Sequence, residues 1–232
     1  MLVSIVVPAH NEDDNLPKLM GMLQSASKSM GGTEIILVDD HSTDGTAQLC
    51  DSYTRTWQNV RTVHRRSGNP GMGNALKEGT REAKGDVIVW TMADLSDDIE
   101  TIPRMVNRVA EGADMVFASR YMKGGSIGDL SRTKSLMSRG FTFVSRLFLG
   151  VKVHDITNAF RAFRKDVFDK VTLESGDFGI SPEFSLKAQL KGFKLGEVPT
   201  TYKSRKEGIA NFNMVKMSKR YLMIFLRAVF KW

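Results

Sequence analysis

Val87-Ile88-Val89-Trp90-Thr91-Met92-Ala93-Asp94-Leu95-Ser96-Asp97-Asp98 passes from an apolar, β-branched run into three carboxylates within five positions. An apolar run of strand length, without alternation, is the pattern of a parallel strand buried on both faces. Its abrupt polar end marks the carboxyl edge of a sheet, where ligands of open α/β sheets bind. Asp94 closes the strand, and Asp97 and Asp98 lead into the next helix, a setting suited to a phosphate-bearing, metal-assisted ligand. Asp is also a favoured helix N-cap, which accounts for Asp98 without any ligand.

The same pattern occurs twice upstream. Ser4-Ile5-Val6-Val7-Pro8-Ala9-His10-Asn11-Glu12 is a short strand broken by Pro8 and ending in polar residues, and Glu34-Ile35-Ile36-Leu37-Val38-Asp39-Asp40 ends in paired acids. Carboxylates at matching strand edges can accept hydrogen bonds from ribose hydroxyls or a base N–H, so Asp39 and Asp40 read as ligand contacts. Asp44 reads as the cap of the following helix. His10 and His41 have no His or Cys partner at metal-ligand spacing and read as polar loop residues. A third strand, Val60–His64, precedes Gly71, Ala75, Gly79 and Ala83, small residues every four positions along one helix face. That stripe serves close packing, while the Gly-rich turn before it could hold a phosphate at a helix N-terminus. After the Val87–Thr91 strand come a helix from about 99 to 111 and a fifth strand, Asp114–Ala118. Strand and helix thus alternate five times, which predicts an α/β fold: a mostly parallel sheet with helices on both faces.

Beyond residue 118 the texture changes. Between Ser131 and Gly150, Leu136, Met137, Phe141, Phe143, Val144, Leu147 and Phe148 alternate with Arg132, Lys134, Arg139 and Arg146. This basic amphipathic pattern fits a helix on a membrane or a partner, and core packing explains it nearly as well. A helix over Ser181–Lys191, a strand over Lys194–Pro199 and a basic segment from Tyr202 to Gly208 follow. From Asn211 to Trp232 a last helix carries Leu222, Met223, Ile224, Phe225, Leu226, Val229 and Phe230 among basic residues. Membrane attachment, dimerisation and folding back onto the domain all suit it.

The chain has 232 residues, 41% of them hydrophobic, and a formal net charge of +7. Residues 203–232 hold eight Lys and Arg against one acid, so the whole excess lies in this segment. Because it sits on an apolar helix rather than along a phosphate-tracking groove, no nucleic-acid partner is expected. The single Cys50 excludes an internal disulfide framework and reads as a buried helix residue. Met1 runs straight into an apolar strand without a basic leader, and no apolar run reaches membrane-spanning length. The expectation is a cytoplasmic protein held peripherally at the cytoplasmic face of a membrane.

Taken together, the motifs resemble the family-2 glycosyltransferases of GT-A (Rossmann-like) fold and, within them, the dolichyl-phosphate or polyprenyl-phosphate mannose synthases. Val7-Pro8-Ala9-His10-Asn11-Glu12 is similar to the family's V-P-x-x-N-E, and Val38-Asp39-Asp40-His41-Ser42-Thr43-Asp44-Gly45-Thr46 to its V-D-D-x-S-x-D-G-T. The Asn69–Gly85 segment resembles G-x-x-x-A-x-x-x-G-x-x-x-A-x-G. Ser119-Arg120-Tyr121-Met122-Lys123-Gly124-Gly125, Asp155-Ile156-Thr157-Asn158-Ala159-Phe160-Arg161, and Gly196-Glu197-Val198-Pro199 with Arg205 resemble the synthases' later motifs.

The resemblance implies a GT-A domain over residues 1–209, with 1–118 holding the nucleotide sugar and 119–209 the acceptor, and an amphipathic interfacial helix over 210–232. It implies that Pro8, His10, Glu12, Asp39, Asp40 and Asp94 bind the nucleotide diphosphate sugar, and that Asp94 and Ser96 hold Mg²⁺ or Mn²⁺. Arg132, Asp155, Arg161 and Arg205 fall on the side of a lipid phosphate acceptor, and Asp94, Arg120, Arg132 and Arg205 carry the catalysis. The implied reaction moves a hexose, mannose from GDP-mannose first, onto a polyprenyl or dolichyl phosphate at the membrane surface, with inversion. One departure stands out: Met92 occupies the first acid position of the family's D-x-D, and a thioether is a poor partner for a hard cation. Help from Asp97 or Asp98, weakened metal dependence, a UDP-sugar donor and a nucleotide-sugar-binding subunit without turnover are the alternatives this opens. A homodimer or a membrane-anchored partner subunit is compatible with the sequence.

Overall fold

The computed structural model describes residues 1–203 and 214–230. Seven strands form one sheet: β1 (Val3–Ala9), β2 (Thr33–Asp40), β3 (Val60–Arg65), β4 (Val87–Trp90), β5 (Met115–Ser119), β6 (Arg161–Arg164) and β7 (Leu195–Pro199). Their order is β3-β2-β1-β4-β6-β5-β7, and all are parallel except β6, which runs antiparallel between β4 and β5. The helices are α1 (Leu16–Ser27), α2 (Thr46–Thr56), α3 (Met72–Glu82), α4 (Ile102–Ala110), α5 (Arg132–Leu149), α6 (Lys165–Lys170), α7 (Ile180–Leu190) and α8 (Met214–Val229).

The unbroken apolar strands are buried on both faces, as their sequence requires. Ile5, Val7, Ile35, Leu37 and Val89 pack on one side with Leu19 and Leu23 of α1, Cys50 of α2 and Met105 of α4. Val6, Ile36, Val38, Ile88 and Trp90 pack on the other with Leu76 of α3, Phe184 of α7 and Ile224 of α8. Trp90 is fully buried and meets Phe163 edge-on at 5.1 Å. Gly79 lets α3 lie against the sheet: a Cβ there would meet Val6 Cγ1 at 2.5 Å and Val38 Cγ2 at 2.7 Å. The small-residue stripe is therefore a packing device at this position, and Gly79→Ala is expected to destabilise by about 1–3 kcal/mol in urea denaturation. A loss below ~0.5 kcal/mol would mean that α3 shifts freely.

Two elements differ from the sequence reading, and α5 resolves a choice it left open. β6 was not foreseen, because Arg161-Ala162-Phe163-Arg164 has neither the unbroken apolar run of β4 nor a polar–apolar alternation. Asp98 makes no side-chain cap; a 3₁₀ turn, Ile99–Thr101, precedes α4, and Asp98 instead pairs with Lys203 at 3.2 Å. Of the two arrangements left open for α5, core packing is not the one found for most of its apolar face: Ser135, Ser138, Thr142 and Ser145 are buried while Phe143, Leu147 and Phe148 face outward and Leu136 is 72% exposed. α8 folds back beside α5 and α7 through Met217, Tyr221, Ile224 and Ala228. Its other edge leaves Leu222, Met223, Leu226 and Phe230 exposed. No helix among the described residues is long and apolar enough to cross a membrane.

Candidate active site

The carboxyl edges of the parallel strands carry the polar residues. Three non-glycine residues take left-handed backbone angles there: Asn11 after β1, His41 after β2 and Leu95 after β4. Such conformations persist where the surroundings impose them, and they concentrate at functional sites.

Register explains how the β2 acids are held. Asp39 lies level with His64 of β3, and Asp40 with Arg65. Asp39 is fully buried and accepts from His64 Nδ1 at 2.9 Å, from the Ser42 amide at 3.2 Å and from Arg66. Burial pushes its pKa up, but these three donors outweigh it and hold the carboxyl below its usual range. Asp40 binds Arg65, His41 Nδ1 at 2.8 Å and the Gly71 amide at 2.6 Å, tying β2 to the turn before α3. Its carbonyl meets His10 Nδ1 at 2.6 Å, and the side chain of Glu12, nearly buried, takes Asn15 Nδ2 at 2.7 Å. Pro8 lies buried in β1, level with Val38. These five sequence-read positions thus share neighbouring strand edges, with Arg65 and Arg66 as cations that the sequence reading passed over.

A cavity of about 210 Å³ lies at the next edges, those of β4 and β5. Met92, Asp94, Ser96 and Asp97 line one wall. Asp94 is half-buried and accepts from the Ser96 amide at 3.1 Å. Asp97 is only 6% exposed, and its Oδ2 takes both the Thr91 hydroxyl at 3.0 Å and the Met92 amide at 2.9 Å. Burial, with the charge of Asp94 beside it, pushes the Asp97 carboxyl up to about 7 against the Met92 and Thr91 hydrogen bonds and the charge of Arg120. Hard oxygen donors from Asp94, Ser96 and Asp97 therefore face one cavity, a set that suits Mg²⁺ or Mn²⁺ once diphosphate oxygens and water complete it. Among the described residues no group of three or more His, Cys, Asp or Glu side chains is suited to hold a metal by itself.

Arg120, Lys134, Ser138 and Thr157 bring the opposite charge. Arg120 grips buried Asp155 with Nε at 2.7 Å and Nη2 at 3.0 Å, a fork that only a guanidinium makes. Its Nη2 also reaches Thr157 Oγ1 at 3.3 Å and Ser138 Oγ at 3.4 Å. Burial opposes the charge of Arg120, but Asp155 outweighs it and holds the guanidinium cationic.

Three sequence-read acceptor residues sit elsewhere. Arg132 is exposed and off the cavity wall, which Lys134 lines instead. Asp155 is fully buried and off the cavity wall, bonded to the lining residues Arg120, Thr157 and Asn158. Arg161 is fully buried beneath the floor: it donates to the carbonyls of Ala159 and Ser181 and to Ser185 Oγ, and lies over Phe117 with its guanidinium carbon 4.9 Å from the ring centroid. Burial pushes it down to about 9. With its donors spent on the protein, it holds the Asn158–Ala159 loop in place and does not touch an acceptor. Arg205 lies outside the described residues.

A mostly parallel sheet whose acidic strand edges face a guanidinium-bearing wall is the arrangement of a nucleotide-sugar transferase, and the chain belongs to glycosyl transferase family 2, whose pattern matches residues 4–172. Its fold is GT-A. It is 32% identical to dolichol-phosphate mannosyltransferase of Pyrococcus furiosus over all of this chain and 63% of that protein, so it spans less than two-thirds of that relative. It is 31% identical to polyprenol monophosphomannose synthase of Mycolicibacterium smegmatis, over 90% of this chain and 80% of that one. Undecaprenyl-phosphate mannosyltransferase of Micrococcus luteus is also 31% identical, over 90% of this chain and 86% of its own. Among solved structures, glucosyl-3-phosphoglycerate synthase of Mycobacterium tuberculosis with Mn²⁺, uridine diphosphate and phosphoglyceric acid superposes with a TM-score of 0.77 at 18% identity. That match covers 98% of this chain and 78% of the other and speaks to fold alone.

Proposed function

We propose that this chain transfers a hexosyl group, mannose from GDP-mannose first among the candidates, from a nucleotide diphosphate sugar to a polyprenyl phosphate at a membrane surface. The observation that carries this reading is the cavity itself. It joins an acidic strand edge to the Arg120 wall, and two helices that line it, α5 and α8, turn apolar residues outward. The relatives named for dolichol, polyprenol and undecaprenyl phosphates support it. Residues 1–118 would hold the donor, 119–209 the acceptor, and the basic residues of 210–232 would favour anionic lipid at about 1 kcal/mol each near the surface. Contact with the cytoplasmic face follows from that donor.

In this mechanism an acceptor phosphate oxygen attacks the anomeric carbon as the bond to the donor diphosphate breaks, so configuration inverts. The phosphate is already anionic near neutral pH, and no side chain need take a proton from it. Arg120, fixed by Asp155, and Lys134 orient the acceptor phosphate. Arg65 and Arg66, beside Asp39 and Asp40, give the nucleotide edge its positive charge. When bound, Mg²⁺ or Mn²⁺ would neutralise charge gathering on the leaving diphosphate, with Asp94 and Ser96 holding it beside Asp97.

The test is transfer from radiolabelled GDP-mannose, UDP-glucose and related donors to a short polyprenyl phosphate in detergent. Label is expected in the lipid phase from one donor, and EDTA is expected to lower that rate at least ~10-fold, with Mn²⁺ or Mg²⁺ restoring it. Unchanged turnover in EDTA would remove the metal from the reading. Binding of a donor without transfer from any would favour the second reading that Met92 supports, a nucleotide-sugar-binding subunit without turnover.

A further inference from the structure

α8 presents two faces to two environments. Leu222, Met223, Leu226 and Phe230 point outward, with Phe230 81% exposed, while Tyr221 on the opposite side is only 6% exposed and lines the cavity. The ring of Tyr221 packs on Phe141 of α5 with centroids 5.1 Å apart. Its helix is fastened to the loop before α7 by Arg220, which reaches Ser175 Oγ at 3.4 Å and Asp177 at 3.7 Å, and by Arg227, which meets Glu174 at 3.0 Å.

The Tyr221 hydroxyl makes no hydrogen bond to another described residue, and it is not one of the fully enclosed polar atoms left without a partner, so it opens on the cavity that Tyr221 lines. The charges of Arg120 and Asp155 act on it, and burial keeps it protonated throughout the physiological range. An O–H that stays a donor, beside a guanidinium and on a cavity wall, is suited to a phosphoryl oxygen. We infer that Tyr221 binds the acceptor, its hydroxyl donating to the phosphate oxygens that Arg120 attracts, so that the helix carrying the lipid-facing residues also completes the acceptor site. This rests on the proposed transfer to a lipid phosphate and adds a residue to it. It also means that α8 must be seated for the acceptor to be held, which ties docking of its apolar face to occupancy of the cavity.

Tyr221→Phe keeps the ring and its packing on Phe141 and removes only the hydroxyl. The expected result is a KM for a short polyprenyl phosphate about tenfold or more above wild type. Nucleoside diphosphate affinity by calorimetry and the melting temperature should stay unchanged. An unaltered KM overturns the inference, and so does weakened nucleoside diphosphate binding with the acceptor KM intact, which would put the hydroxyl on the donor side. If the wild-type protein transfers no sugar, the reading of its function fails separately. Calorimetry of the polyprenyl phosphate alone then decides: tighter binding to wild type than to Tyr221→Phe supports the inference, and equal or absent binding rejects it.

Discussion

Asp155→Asn is expected to lower the unfolding free energy by about 3–5 kcal/mol and to abolish sugar transfer to a lipid phosphate. Asp155 is fully buried and takes two bonds from Arg120 as well as the Thr157 hydroxyl at 3.2 Å and the Asn158 amide at 3.3 Å. An amide in its place brings no charge, and its NH₂ group would face guanidinium donors. Two buried cations then lose their compensation: Arg120, which Asp155 grips directly, and Arg161, whose charge Asp155 also supports. Removing one partner of a buried pair is far more damaging than removing both, because a bare charge is left behind. Arg120→Met with Asp155→Asn should therefore recover part of the stability while remaining inactive. Urea denaturation of the two variants, followed by tryptophan fluorescence, to which buried Trp90 contributes, checks this. A single-variant loss below ~1 kcal/mol would mean that the pair is solvated.

The parallel half of the fold was legible because buried strands write themselves as apolar runs with polar ends. What those runs could not show is which neighbour would lie alongside each end. Asp39 and Asp40 read as free ligand contacts, yet register sets His64 and Arg65 level with them, and a pairing between two strands cannot be read from either alone. Two features of α5 could not be read from its sequence. Apolar periodicity fixes that a helix has two faces but not which one turns inward, and here the serines do. Arg132 and Lys134 lie about 200° apart around the axis at 3.6 residues per turn, so only one of them can face the cavity. Arg161 was misplaced because a basic residue beside a strand normally signals exposure. Trp90 and Phe117 supply the ring faces, and the carbonyls of Ala159 and of Ser181 in α7 the acceptors, that let this one be buried. Tyr221 carried no signal at all, since its role depends on where α8 comes to rest.

Asp97→Asn is expected to make the metal-free protein more stable at pH 8, by up to about 4 kcal/mol, and to leave it unchanged near pH 4. The sign follows from where the proton is bound. Folding raises the Asp97 pKa from a model-peptide value of 3.8 to about 7, so the native state holds a proton that the unfolded chain has already released. The stability this group contributes is fully present below about pH 4 and is lost as pH rises through 7. Asparagine does not titrate, and its carbonyl oxygen can still accept from the Thr91 hydroxyl and the Met92 amide, so the variant lacks that slope. Unfolding free energies measured in EDTA from pH 4 to 8 should diverge between wild type and variant across that window. Parallel curves would show that Asp97 is ionised in the native state and compensated by another group. Adding Mn²⁺ at pH 8 should then raise the melting temperature of the wild type and not of the variant. On the proposed reading, the same carboxylate that destabilises the empty cavity would give it affinity for a cation, which would account for a buried acid beside Asp94 with no cationic side chain in contact.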